Sequence, residues 1–211
     1  MAQSYVDVAN LALSGLTGDE MIVSIDEGSR LANMVNRHLF PAVRSVLQGA
    51  PWSAALANLP LVEVAEEHPE WGAGYALPAQ FVRPARLIDR SRAESRSPRY
   101  RLMLTADGLS RLLFTNLPSP WLEYVVLPQS PVAWPQYLVD AVAAELAARL
   151  AYPITKNRGV YNDFRTMAAM ALSVARAADG NEQVEVMDAE APWIDARGAT
   201  LDRRHDDGWP Y

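Results

Sequence analysis

Three histidines are the side chains in this sequence best suited to metal binding or acid–base chemistry, and they lie far apart as His38, His68 and His205. A helical zinc site needs a second histidine one turn beyond the first. His68 follows two glutamates without such a partner, and the two aspartates after His205 would suit only weak cation binding. His38 falls on the predicted buried face of a helix, where a core histidine is expected. The histidines therefore predict no metal site.

Nucleophilic and phosphate-binding chemistry also lack their usual signatures. The chain contains no cysteine, so thiolate nucleophiles, thiolate metal sites and disulfides are excluded. Gly72-Ala73-Gly74 is not followed by a helix start and has no lysine, as a phosphate-binding loop would. Ser14-Gly15 lacks the pattern of a nucleophile elbow. We predict no catalytic, metal-binding or cofactor-binding residue, no cofactor, and a protein that is not an enzyme.

Length and hydropathy bound the class of protein. With 211 residues, the chain is long enough to bury one sizeable core. No run approaches the roughly 18 apolar residues of a membrane span, and Met1–Leu16 contains Asp7 and lacks a basic start. We expect no membrane segment and no signal peptide.

Four amphipathic stretches with a helical period surround a β-like middle. The predicted helices cover Ser4–Leu16, about Leu31–Leu47 with a kink or brief break at Pro41, Pro135 to Tyr152-Pro153, and a last one from Thr155 or Asn157 to Ala178-Asp179-Gly180. Ser24 and Asp26 are candidate N-terminal caps of the second helix, and the expected buried stripe of the fourth helix includes Phe164, Met167, Ala168 and Ala175.

Short β-like runs occupy the region between Trp52 and Leu127: LPLVEV, FVRPARLID, YRLML, RLLFT and WLEYVVL. Pro84 places its run at a sheet edge or in a bulge. We predict an α+β, mainly α, fold: a four-helix bundle core with an inserted small antiparallel β-sheet and an extended C-terminal arm. The predicted boundaries are 1–51 (first helical hairpin), 52–130 (β subdomain), 131–180 (second helical hairpin) and 181–211 (acidic arm).

A stiff corner that bridges the helical half and the β half is predicted between Trp71 and Leu87. Leu77 is held extended by Pro78, while Tyr75 and Phe81 can anchor the two sides of the corner in the core. Arg83 has two readings: a structural contact with an acidic neighbour or a helix end, or an intersubunit contact.

Arginines cluster just after this corner. Arg90, Arg92, Arg96 and Arg99 lie among serines in a predicted hairpin loop, and they suit acidic protein surfaces or phosphate. They are candidates for contact with a partner protein or an adjacent subunit, with brief contact to nucleic acid and a merely solvated loop as alternatives.

The arm from 181 to 211 carries eight acidic residues against three arginines, with a net charge of −6 for the whole chain. Such a segment buries too little apolar surface to fold alone. Its anchors, Trp193, Ile194, Trp209 and Tyr211, are predicted to bind a partner or a neighbouring subunit, because spaced aromatics fix segments that order on binding.

Several local patterns, taken in order, resemble the head-to-tail adaptor family of tailed bacteriophages, the tail tubular protein A group. They are ALSGL at Ala12–Leu16, the run IVSIDEGSRLANMVNRHLFPAVRSVL, Pro51-Trp52, Tyr75-Ala-Leu-Pro78 with Phe81 and Arg83, and Pro135 with AVAAELAARLAYPIT. The resemblance spans roughly the first 180 residues.

The resemblance implies a structural virion protein without catalysis. Such proteins form a homo-oligomeric ring of about twelve copies beneath the portal, bind the portal protein and a downstream tail protein, and extend the channel through which double-stranded DNA passes. The resemblance therefore implies that the arm anchors bind the portal or a neighbouring subunit. It implies that the arginine cluster meets a tail component or an adjacent subunit, or briefly the passing DNA. The implied location is the virion connector, with assembly in the host cytoplasm. The alternative is a small non-enzymatic scaffold or regulatory protein that binds one partner through its C-terminal arm.

Overall fold

Two helices come first along the chain, the strands follow, and two further helices come last. The structure, a computed structural model, describes residues 4–66, 68–89, 98–105 and 107–182. Within these residues the helices are α1 (Tyr5–Thr17), α2 (Arg30–Gly49), α3 (Gln136–Thr155) and α4 (Arg158–Glu182), with a short 3₁₀ turn at Ser53–Ala55. The strands are β1 (Leu56–Pro60), β2 (Val62–Val64), β3 (Ala73–Ala76), β4 (Phe81–Ile88), β5 (Tyr100–Leu104), β6 (Arg111–Thr115) and β7 (Trp121–Val126).

The strands form two antiparallel sheets. Sheet A has the order β1-β7-β4 and sheet B the order β2-β3-β6-β5. The run LPLVEV, which reads as one strand, divides between them, since β1 pairs with β7 and β2 pairs with β3. Leu61 lies at the crossing and is buried, with its N–H donating to Pro120 O at 2.9 Å.

Sheet A lies between the helices and sheet B. Its central strand β7 places Val125 in the helical core, whereas Leu122 and Tyr124 pack in a second core. Tyr75 and Leu113 of sheet B belong to that second core. The molecule therefore has a helical layer, a three-stranded sheet and a four-stranded sheet, with a hydrophobic core on each side of sheet A.

This architecture corrects the predicted fold class. A four-helix bundle with a small inserted sheet is wrong, because the fold is a mixed one in which seven described strands build two sheets with a core of their own. The helical layer itself centres on α3, which packs on both α1 and α2. Ten residues of α3 are buried, so this helix is apolar on almost every side.

Helix α4 does not complete a bundle. Only Ala168, Ala175 and Asp179 are buried along its 25 residues, and the predicted stripe residue Met167 is 56% exposed. The helix also continues through Gly180 to Glu182 instead of ending at Asp179-Gly180. The apolar residues of α4 have the spacing of a helix, and this spacing predicted a fourth bundle helix. Spacing does not show which of these residues face the core, and several of them are exposed.

Helix starts depend on short polar side chains. Ser4 caps α1, accepting from Asp7 N–H while the Asp7 carboxylate accepts from Ser4 N–H. α2 begins at Arg30 with Ser29 as its cap, so the expected caps Ser24 and Asp26 are wrong. Before α4, Asn157 Oδ1 accepts from the N–H groups of Gly159 and Val160.

Proline has different effects in helix α2 and in strand β4. α2 runs without a break through Pro41. β4, which contains Pro84, is an edge strand of sheet A and shows register shifts between Phe81 and Arg83 and between Pro84 and Arg86. The predicted edge or bulged position of the Pro84 strand is confirmed, because proline lacks the N–H that a central strand needs.

The chain divides into two units, Met1–Gly180 and Asn181–Tyr211, and of the second unit the structure describes only the last two residues of α4. Among the described residues, no helix is long and apolar enough to cross a membrane.

Candidate interaction surfaces

The predicted corner is a turn from β3 of sheet B to β4 of sheet A, so the prediction that it bridges a helical half and a β half is wrong. Tyr75 is 2% exposed, and its hydroxyl donates to Leu117 O at 2.7 Å. Phe81 N–H donates to Pro78 O, closing the turn, and Phe81 stacks on Tyr124 with ring centroids 6.0 Å apart. Leu77 packs against the second core. Burial, followed by the nearby Glu63 charge, raises the pKa of Tyr75.

Arg83 connects this corner to the helical layer. Its Nη1 donates to Gln48 O at 3.1 Å, and Nε donates to Pro84 O at 3.4 Å. Gln48 is the penultimate residue of α2, whose last carbonyls have no partner within the helix. The guanidinium thus binds the negative end of the α2 dipole and ties it to β4.

A buried carboxylate fixes the end of α4. Asp179 is 3% exposed, and its Oδ1 accepts from Ser53 N–H at 2.9 Å, Ser53 Oγ at 2.7 Å and Tyr137 Oη at 3.1 Å. The donors come from the 3₁₀ turn and the first turn of α3. This Asp179 junction holds the end of α4 against the 3₁₀ turn and the start of α3.

An apolar stripe lies on the outer side of α4. Met167, Met170 and Val174 are 56%, 64% and 67% exposed. Their spacing of three and four residues places them on one face of the helix. We call these three residues the α4 stripe. Single exposed apolar residues are ordinary, but a row at helical spacing on a weakly buried helix is typical of a contact surface.

The opposite edges of sheet B carry opposite charges. β2 contains the exposed Glu63 and is followed by Glu66, whereas β5 contains the exposed Arg101 and is preceded by the exposed Arg99. The Arg99 carbonyl accepts from Thr115 Oγ1 at 2.9 Å.

Aromatic rings pack at the start of α1. Tyr5 makes edge contacts with Phe40 and Trp134, with centroids 5.5 and 6.0 Å apart, and donates to Pro128 O at 2.7 Å. Burial raises the pKa of Tyr5 to about 12. Trp134 is 2% exposed, yet its Nε1 has no hydrogen-bond partner in the part of the chain that the structure describes.

Among the described residues, acidic side chains line one pocket without forming a metal site. A pocket of about 590 Å³ lies between the α1–α2 loop and Ile154, where Asp19, Glu20 and Glu27 line it together with Arg30. Across residues 4–66, 68–89, 98–105 and 107–182, no three histidine, aspartate or glutamate side chains form a group able to hold a metal ion.

His38 is half-buried instead of being in the core. Its pKa is lowered by burial first and then by the charges of Arg149 and Arg37.

Several predicted contact residues lie outside the described residues. These are Arg90, Arg92 and Arg96 of the arginine cluster and Trp193, Ile194, Trp209 and Tyr211 of the arm. The sequence reasoning missed the Asp179 junction, the α4 stripe as an outer surface, and the charged edges of sheet B. For the stripe, the available signal was a second apolar row on α4 beside the buried one.

Comparison with known proteins adds no family assignment. No protein-family model matches this chain, and no curated protein matches it.

Proposed function

We propose that this protein is a head-to-tail adaptor of a tailed bacteriophage, a structural virion component that forms a ring beneath the portal. The ring of about twelve copies extends the DNA channel and presents a surface to the downstream tail protein. The family resemblance of the sequence supports this identity. The protein is assembled in the host cytoplasm and resides in the virion connector.

The α4 stripe is the observation that carries the proposal. Met167, Met170 and Val174 expose apolar area along a helix that is itself held by Asp179 at its end. Burying this apolar area against a partner stabilises the complex by roughly 25 cal/mol for each Å² removed from water. Methionine suits such a surface, because its flexible side chain adapts to the opposing shape.

The mechanism is geometric. Identical copies join head to tail through two different surfaces, and a rotation that closes on itself gives a ring. Each copy then has several neighbours, so individually weak contacts make a durable assembly. We expect a lumen that is near neutral or acidic, since basic walls would retain the phosphates of passing DNA.

The test is ring formation on the cognate portal protein. Purified protein is mixed with portal, and electron microscopy counts the symmetry of the complex. We expect a closed ring with the native chain. A variant carrying Met167→Asp and Met170→Asp should lose it, because two carboxylates would be buried without partners.

A matched variant controls for the added charge. Ala169→Asp with Ser173→Asp places two carboxylates on another exposed face of α4, and it should still form rings. Circular dichroism should show equal helix content for both variants. A portal that stays bare with the native chain contradicts the adaptor proposal, and loss of rings in both variants contradicts the role of the α4 stripe.

A further inference from the structure

Sheet B ends in two strands that each leave one edge unpaired. Within the described residues, β2 pairs only with β3, and β5 pairs only with β6. Val62 at one edge is 71% exposed, and Leu104 at the other is 62% exposed. An exposed strand edge is a template for pairing with another strand.

The strand directions in sheet B allow two copies of the chain to join side by side in the same orientation. Each of the three pairings in sheet B is antiparallel, so the two edge strands run in opposite directions. When two copies lie side by side in the same orientation, β5 of one meets β2 of the next antiparallel. This is the pairing that the sheet already uses.

Sheet A does not share this property. Its three strands give edges that run in the same direction, so the same arrangement would bring β4 and β1 together in parallel. Pro84 and the two register shifts also interrupt the β4 edge. Sheet B is therefore the better joint between copies.

Charge decides between two ways of joining sheet B. A two-fold axis would place β5 against β5, which brings Arg99 and Arg101 of both copies together, or β2 against β2, which brings Glu63 and Glu66 together. Like charges across a strand pair are destabilising. Only the head-to-tail arrangement places arginines opposite glutamates.

The opposite charges also share a face of the sheet. Arg101 is in register with Phe114, and Phe114 with Gly74. Val64 of β2 is in register with Gly74, and the Glu66 backbone carbonyl lies 3.3 Å from where a Cβ of Gly74 would be, so the chain after β2 passes over the Phe114 face. Arg101 of one copy and the Glu66 backbone of the next would then lie on the same side of a continuous sheet.

We infer that neighbouring copies of this chain join through sheet B, with β5 of one copy pairing antiparallel with β2 of the next. The inference rests on the proposed function, because it names the surface at which the copies of the ring meet. The partner is a second copy of this chain, and the contact combines backbone hydrogen bonds with the Arg101–Glu66 attraction.

Cross-linking tests the joint directly, because the native chain contains no cysteine. A variant with both Glu63→Cys and Leu104→Cys carries one thiol on each edge, on the same face of the sheet. A bismaleimide shorter than the roughly 14 Å that separates the two edge strands, which are three strand spacings apart, should link only adjoining edges. With portal present, the double variant should give a ladder of multimers.

The single-cysteine variants separate the two symmetries. In a head-to-tail joint, Glu63→Cys alone and Leu104→Cys alone should give no linked species. Dimers from a single variant would show two-fold pairing and overturn the inference.

Charge exchange provides a second, independent test. Arg101→Glu and Glu66→Arg should each lower the yield of portal-bound rings about tenfold, because like charges then face one another. The variant with both changes should recover most of the yield, since each joint regains opposite charges. Arg44→Glu, the same charge change on an exposed position of α2, should leave the yield unchanged.

These outcomes distinguish the inference from the proposed function. Complete rings on the portal without a ladder, or rings indifferent to charge exchange, overturn the sheet B joint and leave the adaptor function standing. A native chain that neither binds portal nor forms any multimer overturns both. Circular dichroism and thermal melting of each variant show that the monomer still folds.

Discussion

Asp179 shows how one residue can link distant parts of the chain. Its carboxylate accepts three hydrogen bonds from Ser53 and Tyr137, which are 126 and 42 residues away. Hydrogen bonds to a charged group are stronger than those between neutral groups. The Asp179 junction therefore holds the end of α4 against the start of α3.

Replacing this carboxylate should destabilise the fold. Asp179→Ala leaves the Ser53 N–H, the Ser53 hydroxyl and the Tyr137 hydroxyl without this acceptor in a buried place. We expect a loss of about 2–4 kcal/mol in the free energy of unfolding, measured by urea denaturation. Asp179→Asn retains an oxygen acceptor and should lose less.

The control lies on the same helix. Asp163→Ala removes a carboxylate from an exposed position of α4 and should change stability by less than about 0.5 kcal/mol. Equal losses for Asp163→Ala and Asp179→Ala would contradict the special role of the junction.

Sequence patterns could not identify this residue's role. Asp179 stands in Ala178-Asp179-Gly180, which resembles an ordinary helix end, and its partners are remote in sequence. Local propensities carry no information about which distant donors a side chain meets. The corner residues Tyr75 and Phe81 were easier to select, because a large aromatic beside a proline turn has a local reason to be buried.

At the scale of elements, Arg83 makes β4 and α2 dependent on each other. Arg83→Met retains most of the aliphatic length but removes the donor to Gln48 O. We expect a loss of about 0.5–1.5 kcal/mol in the free energy of unfolding, because one hydrogen bond and one favourable helix-end charge disappear. Faster amide exchange in the last turn of α2 should accompany it.

Arg86→Met is the matched control for Arg83→Met, since Arg86 is exposed on the same strand. It should leave both stability and the exchange of the α2 end nearly unchanged. If the two variants behave alike, the Arg83–Gln48 contact contributes nothing to the connection between the layers.

Helices and strands were predictable where a single spacing of apolar residues dominates the sequence. The expected Ser4–Leu16 helix and α1 (Tyr5–Thr17) differ by one residue at each end, because apolar spacing and the Ser4 cap agree. The predicted strand runs also located β1, β2 and β4–β7, whereas β3 (Ala73–Ala76) was missed, because its residues were assigned to a glycine-rich turn and a corner. The division of the first run between two sheets was not predicted either, because Pro60, the local break beside Leu61, does not specify which strands each half pairs with. That division is determined by contacts far apart in sequence.

At the scale of the molecule, β7 joins the two cores. Val125 contacts the helical core, whereas the fully buried Leu122 packs in the core between the sheets. A strand shared by both cores couples the unfolding of the helical layer to that of the sheets. The bundle interpretation, by contrast, treated the helices as a core that could stand apart from the β segments.

The coupling predicts that Leu122→Ala weakens both layers together. Deleting a fully buried leucine side chain costs about 2–5 kcal/mol in the free energy of unfolding. Far-ultraviolet circular dichroism at the helical minimum and amide exchange of β6 should report the same loss, and both should follow one cooperative transition. Leu109→Ala, at a position 84% exposed, should change stability by less than about 0.5 kcal/mol. A β6 that unfolds at lower urea than the helices would instead show that the two cores are independent, because β7 then fails to transmit the loss across sheet A.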